Sequence, residues 1–395
     1  MRRLLAAIPP LLLLSACGLN GTDGEAGEDE AGASTTSEAG ADSMTSRDPA
    51  PGEQAQVEIP DAQARPMMQV QVVLERLGFG PGVIDGQEGL STTNALTALQ
   101  EANGLTASGE LDEATRQALS RWSNIAATRV VTIPEEWGSI AFQPVPEDPA
   151  AQAQMQRLGY ESLDEKLAER FHTTVEVLRQ LNPGGRPAGA PGAQTAAATP
   201  SATASPSGTN SATPAPIFRA GQQIRVPNVG ADQIDRASVD NPGWLQTLAS
   251  LGIGTQQPKV ARIVVDKSGG WLKAYDEADK LVAAFTVTTG SEHDPLPLGE
   301  WGVKGVAYNP PFAFDPDLFW DVSDNEEEQQ LPPGPNGPVG VVWIDLTKEH
   351  YGIHGTPAPE SIGRAQSHGC VRLTNWDAAR LAEMVSGSTE VLFQA

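Results

Sequence analysis

Two stretches of this 395-residue chain cannot build a core, and they divide the remainder into separate folding units. Residues 18–65 contain no aromatic side chain, and acids such as Glu25, Glu28, Asp29 and Glu30 alternate there with Gly, Ala, Ser and Thr. Residues 184–216 are almost entirely Ala, Thr, Pro, Ser and Gly, with Arg186 their only charge. Neither stretch can bury enough apolar surface to offset the entropy of ordering. Residues 17–65 therefore read as a solvated acidic tether, and residues 184–216 as a flexible insertion. At this length the expectation is two or three domains, and 39% hydrophobic content is enough for several small cores.

The N-terminus explains what the tether is tied to. Arg2 and Arg3 precede an apolar run from Leu4 to Ala16, too short to span a bilayer and fitted to a secretory signal over residues 1–16. Leu14-Ser15-Ala16-Cys17 resembles the lipobox of bacterial lipoproteins, which implies cleavage before Cys17 and a lipid on that residue. Gly18 is not the aspartate that, by the same resemblance, favours inner-membrane retention, so a periplasmic protein anchored to the outer membrane is expected. With a net charge of −24 the surface repels nucleic acid and anionic headgroups, so the membrane tie must come from lipid and no nucleic-acid partner is expected.

Helical periodicity begins at Pro66. Val70, Val73, Leu74 and Leu77 fall on one face, and further short helices are marked by Leu96 and Leu99 and, after the cap Asp112, by Ala114, Ala118 and Leu119. Leu77-Gly78-Phe79, Ile84-Asp85-Gly86, Leu99-Gln100, Asn103-Gly104-Leu105 and Gly109-Glu110-Leu111-Asp112 together resemble a peptidoglycan-binding domain of the short three-helix type over residues 66–122. After a linker at 123–155, Ser162 with Glu165 and Thr173 with Glu176 read as successive capping boxes. Gly221 to Pro227 reads as a strand. This order resembles a LysM module, a βααβ glycan-binding unit, over residues 156–228, with its opening strand expected around 158–160. A plain helical hairpin packed on a neighbour is the alternative.

A second linker, 229–258, leads to a region of strand-like period. Runs at 261–265, 271–275 and 281–288 suggest an antiparallel meander, 341–346, 351–354 and 389–393 add strands, and Asn375 can cap a helix through about Met384. The expected fold class is multidomain α+β, with a mainly-β final domain over 259–395, a β-sandwich with a packed helix.

The chain has two cysteines, and if Cys17 carries lipid, Cys370 is an exported thiol without a disulfide partner and a candidate nucleophile. Thiol chemistry on a peptide needs a base and donors for a tetrahedral oxyanion. His354 can pair with Cys370 and lower its pKa, the Gly355 carbonyl can fix the imidazole tautomer, and the Gly369 and Cys370 amides can face the oxyanion.

Thr289-Gly290, Pro297-Leu298-Gly299-Glu300, Asn309-Pro310-Pro311, Gly352-Ile353-His354-Gly355-Thr356, Ile362-Gly363 and Ser367 to Leu373 together resemble the L,D-transpeptidase family with its YkuD-type catalytic domain. The resemblance implies that Cys370 is the nucleophile, His354 the base and Gly355 the residue orienting it, with Gly369 and His368 supporting the site and Ser367 and Arg372 meeting substrate. It implies attack on a tetrapeptide stem, release of D-alanine, a thioester, and transfer to an amine on a second stem or on an outer-membrane protein. Peptidoglycan stem peptides and glycan strands are the implied partners, and no metal or cofactor is required.

Three rivals stand beside this reading: a carboxypeptidase or amidase with water as acceptor, a non-catalytic wall tether, and a metal hydrolase built from His354, His368 and Cys370. His350 and His293 read as surface or loop residues, and His172 belongs to another module. The acidic insertion at 314–340, with Asp315, Asp317, Asp321 and Asp324, is placed to cover the cleft, or is a passive loop.

Overall fold

The computed structural model describes residues 59–192, 216–230, 233–319, 322 and 326–395. The signal, Cys17, nearly all of the tether and most of the 184–216 insertion lie outside the described residues, as do Asp321 and Asp324. No helix among the described residues is long and apolar enough to cross a membrane.

Three helices open the described chain: α1 (Pro66–Arg76), α2 (Leu90–Ala102) and α3 (Glu113–Leu119). Pro66 at the first position of α1 gives up an amide that has no partner there anyway, and Asp112 caps α3 through the Thr115 amide at 2.8 Å, as its position predicts.

Strand β1 (Thr128–Thr132) comes next, followed by the single-turn helix α4 (Pro149–Gln152), the helix pair α5 (Leu163–Arg170) and α6 (Val175–Leu181), and strand β2 (Gln223–Pro227). β1 and β2 pair antiparallel, Thr128 opposite Pro227 and Thr132 opposite Gln223. With the single turn α4 set aside, the order is βααβ, but its first strand lies inside the stretch 123–155 expected to be a linker, not at 158–160. Leu158 is buried for another reason: its amide and carbonyl bond to the Pro333 carbonyl and the Asn336 amide of the final domain.

The capping boxes also shift. Ser162 caps α5 through the Glu165 amide at 3.1 Å, and Glu165 reaches back to the Glu161 amide at 2.6 Å. The cap of α6 is Thr174, not Thr173, whose hydroxyl instead donates to the Ile84 carbonyl at 2.6 Å.

Helix α7 (Pro242–Leu251) precedes the main sheet. It corrects the second expected linker, because Trp244, Leu248, Leu251 and Ile253 are almost fully buried in the same core as the sheet. The sheet is built from β3 (Arg262–Asp266), β4 (Trp271–Tyr275), β5 (Leu281–Thr286), β6 (Gly299–Tyr308), β9 (Val342–Leu346), β10 (Gly352–His354), β11 (Val371–Arg372) and β12 (Glu390–Gln394). A separate hairpin, β7 (Phe312–Phe314) with β8 (Gln329–Leu331), lies between β6 and β9, and helix α8 (Asn375–Met384) follows β11.

The eight strands run in the order β11-β10-β9-β6-β12-β3-β4-β5. β3, β4 and β5 form the expected antiparallel meander. The two layers of the expected sandwich come from one continuous sheet that curls. The long strand β6 makes the turn: residues 299–302 pair with β12, and its second half pairs with β9 after a register shift between Val303 and Gly305.

The helical region is packed on this sheet. β5 is an edge strand, and an uncovered edge invites pairing. Residues 78–80 cover it, with the Gly80 amide on the Ala284 carbonyl at 2.8 Å and the Ala284 amide on the Gly78 carbonyl at 3.1 Å. Gly78 has φ +96°, and a β-carbon there would lie 2.8 Å from the Val282 carbonyl oxygen, so this approach requires glycine. Leu74, Phe79, Leu96 and Leu99 share a core with Leu281 and Ala284, and Glu101 bridges to Lys273. Met68, Val72 and Ile84 in turn join the core of the βααβ unit. The described residues from 59 onward are thus joined by shared packing where the sequence reading has modules spaced by linkers.

Candidate active site

The residues singled out in the sequence converge on one edge of the sheet. β10 lies between β9, antiparallel, and β11, parallel, with Ile353 opposite Val371 and His354 opposite Arg372. That register places the histidine strand beside the strand that follows Cys370. The turn before β11 is held from the other side by the segment after β5. Arg372 donates its amide to the Thr288 carbonyl at 2.8 Å, the Ser367 amide bonds the Thr289 carbonyl at 3.1 Å, and the Ser291 amide bonds the Ser367 carbonyl at 3.1 Å.

Ser367 closes the turn itself, its hydroxyl donating to the Cys370 carbonyl at 2.6 Å. This is a structural task for a residue expected to meet substrate. Gly369 has φ +103°, and a β-carbon there would sit 2.8 Å from the Tyr351 ring. Only glycine lets the chain turn this tightly in front of Cys370. The Cys370 thiol is partly buried and donates a long bond to the His350 carbonyl, 3.8 Å.

His354 is buried, stacked on Trp343 with ring centroids 5.3 Å apart. Its Nδ1 lies 2.7 Å from the Gly355 carbonyl oxygen. A carbonyl can only accept, so Nδ1 carries the proton and the Nε2 lone pair is left to act as base. This is the arrangement expected for Gly355. It is braced from behind by Asn375, the first residue of α8, and not its cap: Thr374 accepts the Asp377 amide at 3.0 Å, which releases the Asn375 side chain. Asn375 Oδ1 accepts the Val341 amide at 3.1 Å and Nδ2 donates to the Pro335 carbonyl at 3.0 Å.

Electrostatics corrects one expectation. Burial, and then the nearby Arg372 guanidinium, pull His354 down to about 4, outweighing the Gly355 hydrogen bond. Burial pushes the Cys370 thiol up, against the opposing influence of the Gly352 backbone and Arg372. The resting pair is a neutral imidazole beside a thiol, not a preformed imidazolium and thiolate.

His368 is half-buried and makes an edge-on contact with Phe319, 5.1 Å between centroids. Phe319 follows β7 in the 314–340 insertion and stacks on Phe314 at 5.8 Å. The base of the insertion is tied to the βααβ unit, with Asn336 Nδ2 donating to the Gly159 carbonyl at 3.0 Å and to Glu165 Oε1 at 2.7 Å. The insertion therefore reaches from the βααβ unit to the active-site turn. His293 and His350 are exposed, as expected.

Sequence reasoning missed one buried cluster. Among the described residues, the group whose ligand-type atoms all lie within 4.8 Å of one another is Glu75, His172 and Asp377, not His354, His368 and Cys370. These atoms already engage each other and neighbouring donors, Arg380 on Glu75 and Thr374 on Asp377.

A thiol, an imidazole protonated on Nδ1 and a glycine-bearing turn thus lie on neighbouring strands of one curled sheet. A model of the L,D-transpeptidase catalytic domain, YkuD, matches residues 260–392, and a model described as "Putative peptidoglycan binding domain" matches residues 64–119. The chain is 34% identical over 146 residues to "Putative L,D-transpeptidase YkuD" of Bacillus licheniformis, covering 37% of this chain and 73% of that protein. It is 53% identical over 57 residues to the protein of the same name from Bacillus subtilis, covering 14% of this chain and 35% of that one. Among solved structures, an L,D-transpeptidase from Mycobacterium smegmatis aligns at 22% identity with a TM-score of 0.28, covering 34% of this chain and 58% of that chain. The chain belongs to the L,D-transpeptidase family, and its final domain is the catalytic domain of an acyltransferase.

Proposed function

We propose that this protein is a cysteine-dependent peptidoglycan L,D-transpeptidase that acts through a thioester. The observation that carries the reading is the Nδ1-protonated His354 on the strand paired with the one that follows Cys370. Cys370 Sγ attacks the carbonyl carbon of the L-to-D peptide bond of a tetrapeptide stem while its proton passes to His354 Nε2. The Gly369 and Cys370 amides receive the oxyanion. Collapse breaks the C–N bond, His354 returns its proton to the departing D-alanine amine, and a thioester remains. An amine on a second stem, or on an outer-membrane protein, then attacks the thioester, gives its proton to His354 and releases the thiolate, which is reprotonated. Arg372 and His368 would help hold the site or a stem carboxylate.

The three-helix region, which matches the peptidoglycan-binding model, and the βααβ unit, read as LysM-like, raise the local concentration of wall substrate. A lipid on Cys17 holds the protein at the outer membrane, and Cys17→Ser should move it from the membrane to the soluble fraction. Water in place of the amine would make the same thioester a carboxypeptidase intermediate. Mass spectrometry of purified muropeptides, with and without an amine acceptor, tests the proposal. Cross-linked product from the wild type and none from Cys370→Ala is expected, whereas equal product from a folded Cys370→Ala chain would sink the thioester.

A further inference from the structure

Glu75, His172, Thr374, Asp377 and Arg380 come from three parts of the chain and meet in one buried cluster. His172 Nδ1 lies 3.1 Å from Glu75 Oε2 on α1, and its Nε2 lies 3.2 Å from Thr374 Oγ1 at the cap of α8 and 3.8 Å from Asp377 Oδ2. The ring stacks on Trp376, centroids 5.0 Å apart and planes 11° apart. His172 has φ +47°, in the left-handed region that few side-chain-bearing residues adopt. Its carbonyl also accepts the Ile84 amide at 2.7 Å, so the residue is fixed to the three-helix region as well.

Hydrogen-bond bookkeeping sets the state of the ring. Thr374 has one hydroxyl hydrogen, and it goes to Asp377 Oδ2 at 2.9 Å. Asp377 Oδ1 is buried with no hydrogen-bond partner, so Asp377 depends on that donor. Thr374 Oγ1 therefore accepts from His172 Nε2. Glu75 accepts Arg380 Nη1 at 3.0 Å through Oε1, and its Oε2 is the acceptor that His172 Nδ1 faces, so Nδ1 donates as well. Both ring nitrogens carry protons. Above about pH 6, to which burial raises the Asp377 carboxyl, the imidazolium and Arg380 face the carboxyl groups of Glu75 and Asp377, so buried charges of both signs are paired. Asp377 and Glu75, with Glu169 of α5 behind them, raise the His172 pKa against the effect of burial, which alone would lower it.

Thr374 leads directly to the nucleophile. Leu373, its neighbour, donates its amide to the His354 carbonyl at 2.8 Å, and Asn375 stands against Gly355. We infer that His172 is a positioning residue for the transferase site, its imidazolium fixing Thr374 and through it the Cys370 strand and the Asn375 brace behind Gly355. Catalysis is thereby tied to the docking of the three-helix and βααβ regions on the final domain. The inference rests on the proposed function for its kinetic readout and on Cys370 alkylation for a readout that needs no transfer.

The test uses the full chain with His172→Gln, Thr374→Val and Thr374→Ser. His172→Gln should lower kcat on a soluble stem peptide by about tenfold or more with KM changed by less than about twofold, since binding groups are untouched. Thr374→Val should reproduce the loss and Thr374→Ser restore it. Iodoacetamide should label Cys370 at a changed rate in His172→Gln even if the wild type transfers nothing, which separates failure of this inference from failure of the functional reading. The difference in unfolding midpoint between wild type and His172→Gln should be largest near pH 6.5, shrink as the pH rises through the elevated pKa of His172, and shrink again below about pH 6, where the Asp377 carboxyl, raised chiefly by burial, takes up a proton. A difference constant with pH, or a folded His172→Gln chain with wild-type kcat and labelling rate, overturns the inference. Should His172→Gln not fold, the Thr374 pair decides: a folded Thr374→Val chain with wild-type kcat overturns it.

Discussion

Asn375 Oδ1 occupies the place that a β-carbon on Gly355 would need, 2.2 Å from it. The amide is not free to move aside, because it holds the Val341 amide and the Pro335 carbonyl in a buried setting. Gly355→Ala must therefore displace either Asn375 or the carbonyl that orients His354. We expect kcat to fall by roughly a hundredfold, the usual scale for a 1 Å misplacement of a reacting group. Stability should fall by about 1–3 kcal/mol as the Val341 amide loses its partner. Steady-state kinetics and a denaturant titration measure both, and unchanged kcat in Gly355→Ala would remove Gly355 from the orienting role.

The raised pKa of Cys370 and the low one of His354 predict a slow thiol at neutral pH. Only the thiolate reacts appreciably, so iodoacetamide labelling should climb about tenfold per pH unit between pH 7 and pH 9. Turnover, with His354 accepting the proton in the transition state, should hold up at neutral pH and collapse in His354→Gln, while labelling at pH 9 changes little. Rapid labelling that is flat from pH 5 to 8 would instead indicate an ion pair already formed in the resting site.

His354 also marks the acid limb of stability. Its folded pKa of about 4 lies below the value near 6.5 of an unfolded histidine. Between those values the unfolded chain binds more protons, so stability is full above pH 6.5 and is lost as pH falls toward 4, by roughly 3 kcal/mol. Glu169, raised to about 7 chiefly by burial, acts in the opposite sense over an overlapping range. Comparison of wild type with His354→Gln isolates the histidine. The variant should lose less stability between pH 6.5 and pH 4, and parallel stability profiles would mean that His354 is not held neutral.

The candidate site was legible because its residues are close in sequence: Cys370, His354 and Gly355 lie in two short motifs on strands that pair. Caps at Asp112 and Ser162, and the meander β3 to β5, were legible because local pattern decides them. What escaped is set by contacts distant in sequence. Thr128–Thr132 is too short to announce itself as a strand until β2 pairs with it. Thr173 and Asn375 resemble caps, yet the hydroxyl of Thr173 and the amide of Asn375 are used elsewhere, and each true cap lies one residue away. His172 meets Glu75 across 97 positions and Thr374 across 202, and no periodicity carries such a pairing. The linkers failed likewise, since an edge strand and a half-covered core recruit segments that read as connectors.

That last point yields a truncation prediction. A fragment from Lys259 to Ala395 holds Cys370, His354 and Gly355 and all of the span matched by the catalytic-domain model. It lacks Trp244, Leu248, Leu251 and Ile253, each no more than 1% exposed. Trp244 stacks on Tyr308 at 4.5 Å and donates to Glu383 at 2.6 Å, and the Leu251 carbonyl accepts the Trp376 indole at 3.1 Å. Each such side chain is worth about 1.5–3 kcal/mol on burial, against a total stability of about 5–15 kcal/mol for a domain. The fragment also uncovers the edge of β5 that residues 78–80 pair with. It should be unfolded or aggregated, while residues 59–395 should melt in one cooperative transition. Amide dispersion in an NMR spectrum and scanning calorimetry distinguish the cases. A monomeric, well-dispersed fragment from Lys259 would show that α7 is dispensable to the core, and two resolved calorimetric transitions in the longer chain would show that the helical regions fold independently of the sheet.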